Sequence, residues 1–270
     1  INKEFPIVIF SHGLGGNRTQ NTANVESLAS NGYVVYSIEH SYDANIAIFN
    51  DSTYIEYDSY LSSDTNKENF YRVRIPQITA RAQDISFLIN QIELFKSQGF
   101  YIGKVSNISS IGVFGHSFGG GTSVAASIMD SIIKSCISLD GWYTPINPNV
   151  YQLGLNIPFI HLGRTEWEKE INYEILDSIF AYGNSTTYKL SLEGSHHYDF
   201  TDSPHLSNLS SRFKLSSDLD SEQILDATNT TVLGFFDKNL KFKSNDWLNK
   251  LKKNKNIIIE KINREDRDQE

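Results

Sequence analysis

Short apolar runs separated by helical patterns are the feature of this sequence that most restricts its fold. "FPIVIF" (5–10), "YVVYSIEH" (33–40), "ISSIGVFG" (108–115), "KSCISLD" (134–140), "IPFIHLG" (157–163) and "TYKLSLEG" (187–194) read as strands, several of them apolar on both sides. Strands of that kind belong in a sheet covered on both faces. Helical patterns lie between them. Val25, Leu28 and Ala29 precede an Asn31-Gly32 stop, and Ile75, Ile78, Ala82, Ile85, Leu88, Ile89, Ile92 and Phe95 recur at three- and four-residue steps. "GGTSVAASIMD" (120–130), a stretch near 174–182 and "TTVLGFFDKNL" (230–240) supply further helices. This alternation predicts an α/β fold, a mostly parallel sheet with helices on both faces and right-handed crossovers.

Two segments break the rhythm. Residues 41–74 are polar, tyrosine-rich and without clear period, and are expected to form a long excursion over the sheet edge, a candidate lid. Residues 241–270 are lysine-rich and then mixed in charge, and are expected to be a solvated extension of a catalytic domain spanning 1–240. At 270 residues the chain can bury one sizeable core. A net charge of −8 argues against a nucleic-acid partner, whose phosphates call for clustered Lys and Arg. One cysteine, Cys136, excludes an internal disulfide and a Cys-based zinc site. No apolar run reaches the roughly 18 residues of a membrane span. The chain begins at Ile1 rather than Met, which suggests a trimmed product and favours a secreted or periplasmic location over a cytoplasmic one.

The chemistry concentrates around Gly115-His116-Ser117-Phe118-Gly119, a GxSxG pattern between a strand run and a helix run. A serine held on a tight strand-to-helix turn needs small neighbours, and that context makes Ser117 a candidate nucleophile. A serine hydroxyl needs a base. In this topology the base lies after the last strand, where "EGSHHYDF" (193–200) offers His196 and His197; chemistry alone leaves the choice between them open. His116, next to the serine, reads as a packing or turn residue. For the acid, Asp140 closes the strand after the serine's helix, and Glu166 or Glu168 competes from the next strand end. Asp199 and Asp202 lie too close to the histidines to be favoured. Oxyanion donors are expected from the N–H of Phe118 and, in "SHGLGG" (11–16), from that of Leu14. No HExxH or GxGxxG pattern points to a metal or a dinucleotide, so no cofactor is expected.

These motifs resemble the α/β-hydrolases and, within them, the platelet-activating-factor acetylhydrolases of the plasma, lipoprotein-associated type. The resemblance runs through "PIVIFSHGLGG", "LASNGYVVYSIEH", "FYRVRIPQITARAQDI", "IGVFGHSFGGGT", "SLDGWYTP" and "GSHHYDFTD" and covers about 5–205. It implies the α/β-hydrolase fold, with the sequence starting at what matches the family's third strand. It also implies Ser117 as nucleophile, Asp140 as acid, His197 as base and the N–H groups of Leu14 and Phe118 as oxyanion donors. In the family the histidine follows a glycine by three residues, which selects His197 over His196, and the acid's place selects Asp140 over Glu166.

The function so implied is a serine ester hydrolase working through an acyl-enzyme on short acyl chains, such as the sn-2 acetyl of a platelet-activating-factor-like phospholipid. Trp142, Tyr143 and Phe118 are expected to line the acyl side. The partner is a small ester or phospholipid; 41–70 and the chain beyond 205 match none of the family's lipid-surface regions, so membrane contact has no support, and the oligomeric state stays open. The alternatives are a broad short-chain carboxylesterase or polyester hydrolase without phospholipid preference, and a non-catalytic binding protein, which would need a broken triad.

Overall fold

The apolar runs assemble into a seven-stranded sheet with strand order β2-β1-β5-β6-β7-β8-β9. The computed structural model describes residues 3–61, 66–167, 171–206 and 209–262. In chain order its elements begin with β1 (Phe5–Ser11), α1 (Thr22–Ser30), β2 (Val34–Ile38), β3 (Ile46–Ile48), β4 (Tyr54–Glu56) and α2 (Lys67–Ser97). Next come α3 (Tyr101–Val105), β5 (Ser106–His116), α4 (Phe118–Met129), β6 (Ile133–Leu139), α5 (Pro148–Tyr151) and β7 (Phe159–Gly163). The chain continues through α6 (Ile171–Tyr182), β8 (Thr187–Leu192), a 3₁₀ turn (His197–Phe200), α7 (Ser203–Leu206) and α8 (Leu209–Arg212). It closes with α9 (Ser221–Leu240), α10 (Trp247–Leu251) and β9 (Ile257–Ile262).

Side chains alternate across a strand, so each central strand feeds two cores. Ile7, Ile9, Ile111 and Val113 face one side with Ile78, Ala82, Ile85, Ile89 and Ile92 of α2 and Val124 of α4. Val8, Phe10, Phe114, Ile137 and Leu139 face the other with Leu28 of α1 and Val232, Phe235 and Phe236 of α9. β1, β2 and β5–β8 pair in parallel, as an α/β-hydrolase sheet requires, and their C-terminal ends gather on one edge. That edge carries Ser11, His116, Leu139 and Gly163, and the loops that follow them form the site.

Three segments differ from the sequence reading. The long helix begins at Lys67 rather than Ile75, capped by the Asn66 side chain accepting from the Asn69 N–H at 2.8 Å. Pro76 disguises its start, since proline commonly opens helices. The described part of the 41–74 excursion holds the small antiparallel pair β3–β4, tied to the rest by Gly15 N–H to Asp43 carbonyl (2.8 Å) and Asn45 N–H to Gly16 carbonyl (2.7 Å); residues 62–65 lie outside the described residues. The tail is packed up to Ile262. Trp247 and Leu251 are buried against α9 and β8, and β9 pairs antiparallel with β8, extending the sheet. Its lysines hid this, because only Trp247, Leu248, Leu251 and alternate isoleucines such as Ile257 and Ile259 need point inward. Residues 263–270 lie outside the described residues.

Candidate active site

The turn from β5 to α4 puts Ser117 at φ 56°, ψ −121°, a conformation that a residue with a Cβ adopts only when its surroundings hold it there. Three hydrogen bonds do so: its N–H donates to the Leu139 carbonyl (2.9 Å), and its carbonyl accepts from Gly121 N–H (3.1 Å) and Trp142 N–H (2.8 Å). The flanking glycines are spatial requirements. A Cβ on Gly119 would lie 2.0 Å from the Ser11 carbonyl oxygen, and one on Gly115 would lie 2.3 Å from that of Gly119.

His197 opens the 3₁₀ turn after β8. Its Nε2 lies 2.9 Å from Ser117 Oγ and its Nδ1 lies 2.5 Å from Asp140 Oδ2. A carboxylate only accepts, so Nδ1 carries the proton and Nε2 presents its lone pair to the serine hydroxyl. Asp140 is fully buried, and two more residues donate to it. Arg164 gives its backbone N–H to Oδ1 (3.0 Å) and its Nε to Oδ2 (2.8 Å), and Trp167 gives Nε1 to Oδ1 (3.3 Å). Burial opposes ionisation of Asp140, but the hydrogen bond and charge of His197 and the donors of Arg164 outweigh it and hold the carboxyl well below its usual range.

The other acid candidates among the described residues face solvent or bond elsewhere. Glu166 is exposed, and Glu168 lies outside the described residues. Asp199 caps its own turn by accepting from the His196 N–H at 2.7 Å, and Asp202 accepts from the Ala23 N–H at 3.2 Å. His116 does more than fill a turn: Nε2 donates to the His197 carbonyl at 2.9 Å, and its ring lies 4.5 Å from the His197 ring. Burial and the neighbouring His197 push its pKa down to about 3, so it stays a neutral donor.

Leu14 and Phe118 bring two N–H groups to the same edge, and among the described residues neither has a protein acceptor. The loop bearing Leu14 is held by its neighbours: Gly13 N–H donates to Gln20 Oε1 (2.8 Å), and His12 Nδ1 donates to the Gly13 carbonyl (2.7 Å). A cleft of about 610 Å³ opens over Ser117 and His197, lined also by Leu14, Trp142, Arg164 and Trp167. Trp142 lies in it as expected. Tyr143 does not: as the next residue it points into the core, fully buried, with its hydroxyl bonded to Ser138 Oγ (2.8 Å) and His161 Nδ1 (2.6 Å). The Phe118 side chain is likewise fully buried, beneath Trp142 at 5.6 Å between ring centroids. Sequence reasoning missed Arg164 and Trp167, which sit in "HLGRTEWEKE" beside the glutamates it weighed as acids.

A model of the family described as platelet-activating factor acetylhydrolase, isoform II, matches residues 1–258. The chain belongs to that family. Among curated relatives it is 28% identical to the platelet-activating factor acetylhydrolase of Gallus gallus over 89% of this chain and 63% of that protein. The namesake of Canis lupus familiaris is also 28% identical, over 88% of this chain and 58% of the relative. A probable 1-alkyl-2-acetylglycerophosphocholine esterase of Arthroderma benhamiae is 26% identical over 62% of this chain and 42% of its own length. The chain thus spans about three-fifths of the first two relatives. Among solved structures, a ferulic acid esterase from Streptomyces cinnamoneus superposes with a TM-score of 0.75 at 24% identity, covering 92% of this chain and 71% of the other, which shows the shared α/β-hydrolase fold.

Proposed function

We propose that this chain is a serine ester hydrolase that releases short acyl groups, with the sn-2 acetyl of a platelet-activating-factor-like phospholipid as its preferred substrate class. The observation that carries the reading is the unbroken line of hydrogen bonds from buried Asp140 through His197 to Ser117, beside two N–H groups that have no protein acceptor among the described residues. Membership of the acetylhydrolase family supports the acetyl ester as substrate.

Ser117 Oγ attacks the ester carbonyl carbon while His197 Nε2 takes the hydroxyl proton. Negative charge passes to the carbonyl oxygen, which the N–H groups of Leu14 and Phe118 receive; one such donor is typically worth about 3 kcal/mol. His197, now a cation stabilised by Asp140, returns the proton to the departing alcohol oxygen as the C–O bond breaks. Water then repeats the cycle on the acyl-serine: His197 takes its proton, the hydroxyl adds to the carbonyl carbon, and the carboxylic acid leaves as Ser117 regains its proton.

A substrate panel tests this. The expected result is kcat/KM for 1-O-alkyl-2-acetyl-glycerophosphocholine at least about 100-fold above that for its sn-2 palmitoyl analogue, a difference of about 2.7 kcal/mol in the transition state. Hydrolysis of p-nitrophenyl acetate with no preference between the two phospholipids would move the assignment to a broad short-chain carboxylesterase. No hydrolysis of any ester would overturn it.

A further inference from the structure

The block "FYRVRIPQITARAQDI" carries the family resemblance, yet nothing in the triad explains it. It contains Arg81, on α2, only 2% exposed. A buried cation is costly unless paired and fully hydrogen-bonded, and an apolar side chain of similar size usually packs as well or better. Arg81 is incompletely served. Asp43 Oδ2 stands 3.8 Å from its Nε, and among the described residues Nε and Nη1 have no hydrogen-bond partner.

Its contacts all lead to one place. Nη2 donates to the His12 carbonyl, two residues before Leu14, and to Ser11 Oγ at 3.2 Å. The guanidinium carbon sits 5.0 Å from the Phe118 ring centroid. The Asp43 that faces it accepts, through its carbonyl, the N–H of Gly15 at 2.8 Å. One side chain therefore touches the strand end before the Leu14 loop, the Phe118 residue and the segment that braces the loop from outside. It also leaves positive charge in a dry region next to that loop.

We propose that Arg81 is the positioning residue of the oxyanion hole: it clamps the His12 carbonyl and lies on Phe118, so that the N–H groups of Leu14 and Phe118 point at one spot. The inference rests on the ester-hydrolase reading above. Its signature is selective for the transition state, because the clamp sets donors that matter only once the carbonyl oxygen becomes an oxyanion.

The test uses Arg81→Met, which keeps an apolar stem, and the charge-balanced Arg81→Met/Asp43→Asn, which removes the carboxylate that the first change would orphan. Arg81→Lys keeps a cation but not the flat fork that reaches two acceptors and stacks on a ring. Each is assayed with p-nitrophenyl acetate and with a short-chain alkyl trifluoromethyl ketone, whose adduct with a serine Oγ is a tetrahedral oxyanion. For folded Arg81→Met/Asp43→Asn the expected result is a loss of roughly 10- to 100-fold in kcat with KM within about twofold. The ketone's inhibition constant should rise by the same factor, and Arg81→Lys should lose more than about threefold in both quantities but less than that variant. Circular dichroism and thermal unfolding establish which variants are folded. An active wild type whose folded Arg81→Met/Asp43→Asn or Arg81→Lys variant keeps both kcat and ketone affinity within about threefold overturns the inference alone. A wild type that hydrolyses no ester and binds no ketone overturns the reading beneath it.

Discussion

Replacing Asp140 by Asn changes one atom and a charge, and the structure gives the size of the consequence. Both carboxylate oxygens face donors: Oδ2 accepts from His197 Nδ1 and Arg164 Nε, and Oδ1 accepts from Arg164 N–H and Trp167 Nε1. An asparagine amide must point its NH₂ at one of these pairs. Aimed at Trp167 and the Arg164 N–H, it strips two half-buried donors of their acceptor, at about 1 kcal/mol or more each. Aimed at His197, it turns the imidazole to the other tautomer, so that Nε2–H faces Ser117 Oγ and can no longer take its proton. Either way a buried carboxylate that would stabilise the imidazolium is gone. We expect kcat on p-nitrophenyl acetate to fall by roughly 10⁴, about 5 kcal/mol on the barrier, with KM little changed and stability lowered by about 2–5 kcal/mol. Glu166→Gln, at an exposed site, is the control and should stay within about twofold. A folded Asp140→Asn enzyme with kcat within tenfold of wild type, or an equal loss in Glu166→Gln, would refute the reasoning.

Two further outcomes are expected from the packing and burial of this fold. Gly119→Ala and Gly15→Ala should part company. The first drives a Cβ to 2.0 Å from a backbone oxygen and should cost about 3 kcal/mol or more, whereas the second, at φ 72° with no atom of the described residues within 4 Å of the added Cβ, should cost about 1–2 kcal/mol; equal shifts in thermal unfolding would contradict the packing argument. Acid should destabilise the fold before any carboxylate titrates in the unfolded chain. Burial lowers His116 to about 3 and His161 to about 4, and lowers His12 and His40 as well, against about 6.5 in the unfolded chain. The unfolded state thus binds protons first, so this stability is complete above pH 6.5 and drains as pH falls toward 4, at up to about 1.4 kcal/mol per pH unit for each histidine. Urea midpoints at pH 7, 6 and 5 read this directly, and a flat profile would count against it.

The strands were legible because a parallel sheet buried on both faces writes itself as apolar runs, and Ile7/Ile9 against Val8/Phe10 is that pattern in its plainest form. Ser117 was legible because its turn admits only small neighbours. The acid was not settled by spacing, since two strand ends offer a carboxylate to the same histidine loop and only the backbone path past Leu139 decides which of them reaches Nδ1. Trp142 and Tyr143 were inseparable in sequence for a related reason: neighbouring residues in a loop point apart, and the direction depends on the Asn172 side chain that accepts the Tyr143 N–H at 2.7 Å. The packed tail was hidden by composition, because Trp247 and alternate isoleucines are few among lysines that face water. Arg81 lay in plain view within an apolar helix stripe, but a cation beside Ile78, Ala82 and Ile85 gives no sign in sequence that it reaches the neighbouring strand end.

The central claim is that Ser117 Oγ is the atom to which the acyl group is transferred. Wild type and Ser117→Ala, both shown to be folded, are treated with a fluorophosphonate probe, digested and mapped by mass spectrometry, with p-nitrophenyl acetate turnover followed in parallel. The expected result is a single adduct on the peptide containing Ser117 in wild type, no adduct in Ser117→Ala, and turnover reduced at least about 10³-fold. An adduct elsewhere, or a Ser117→Ala chain that retains turnover within threefold of wild type, would contradict the account.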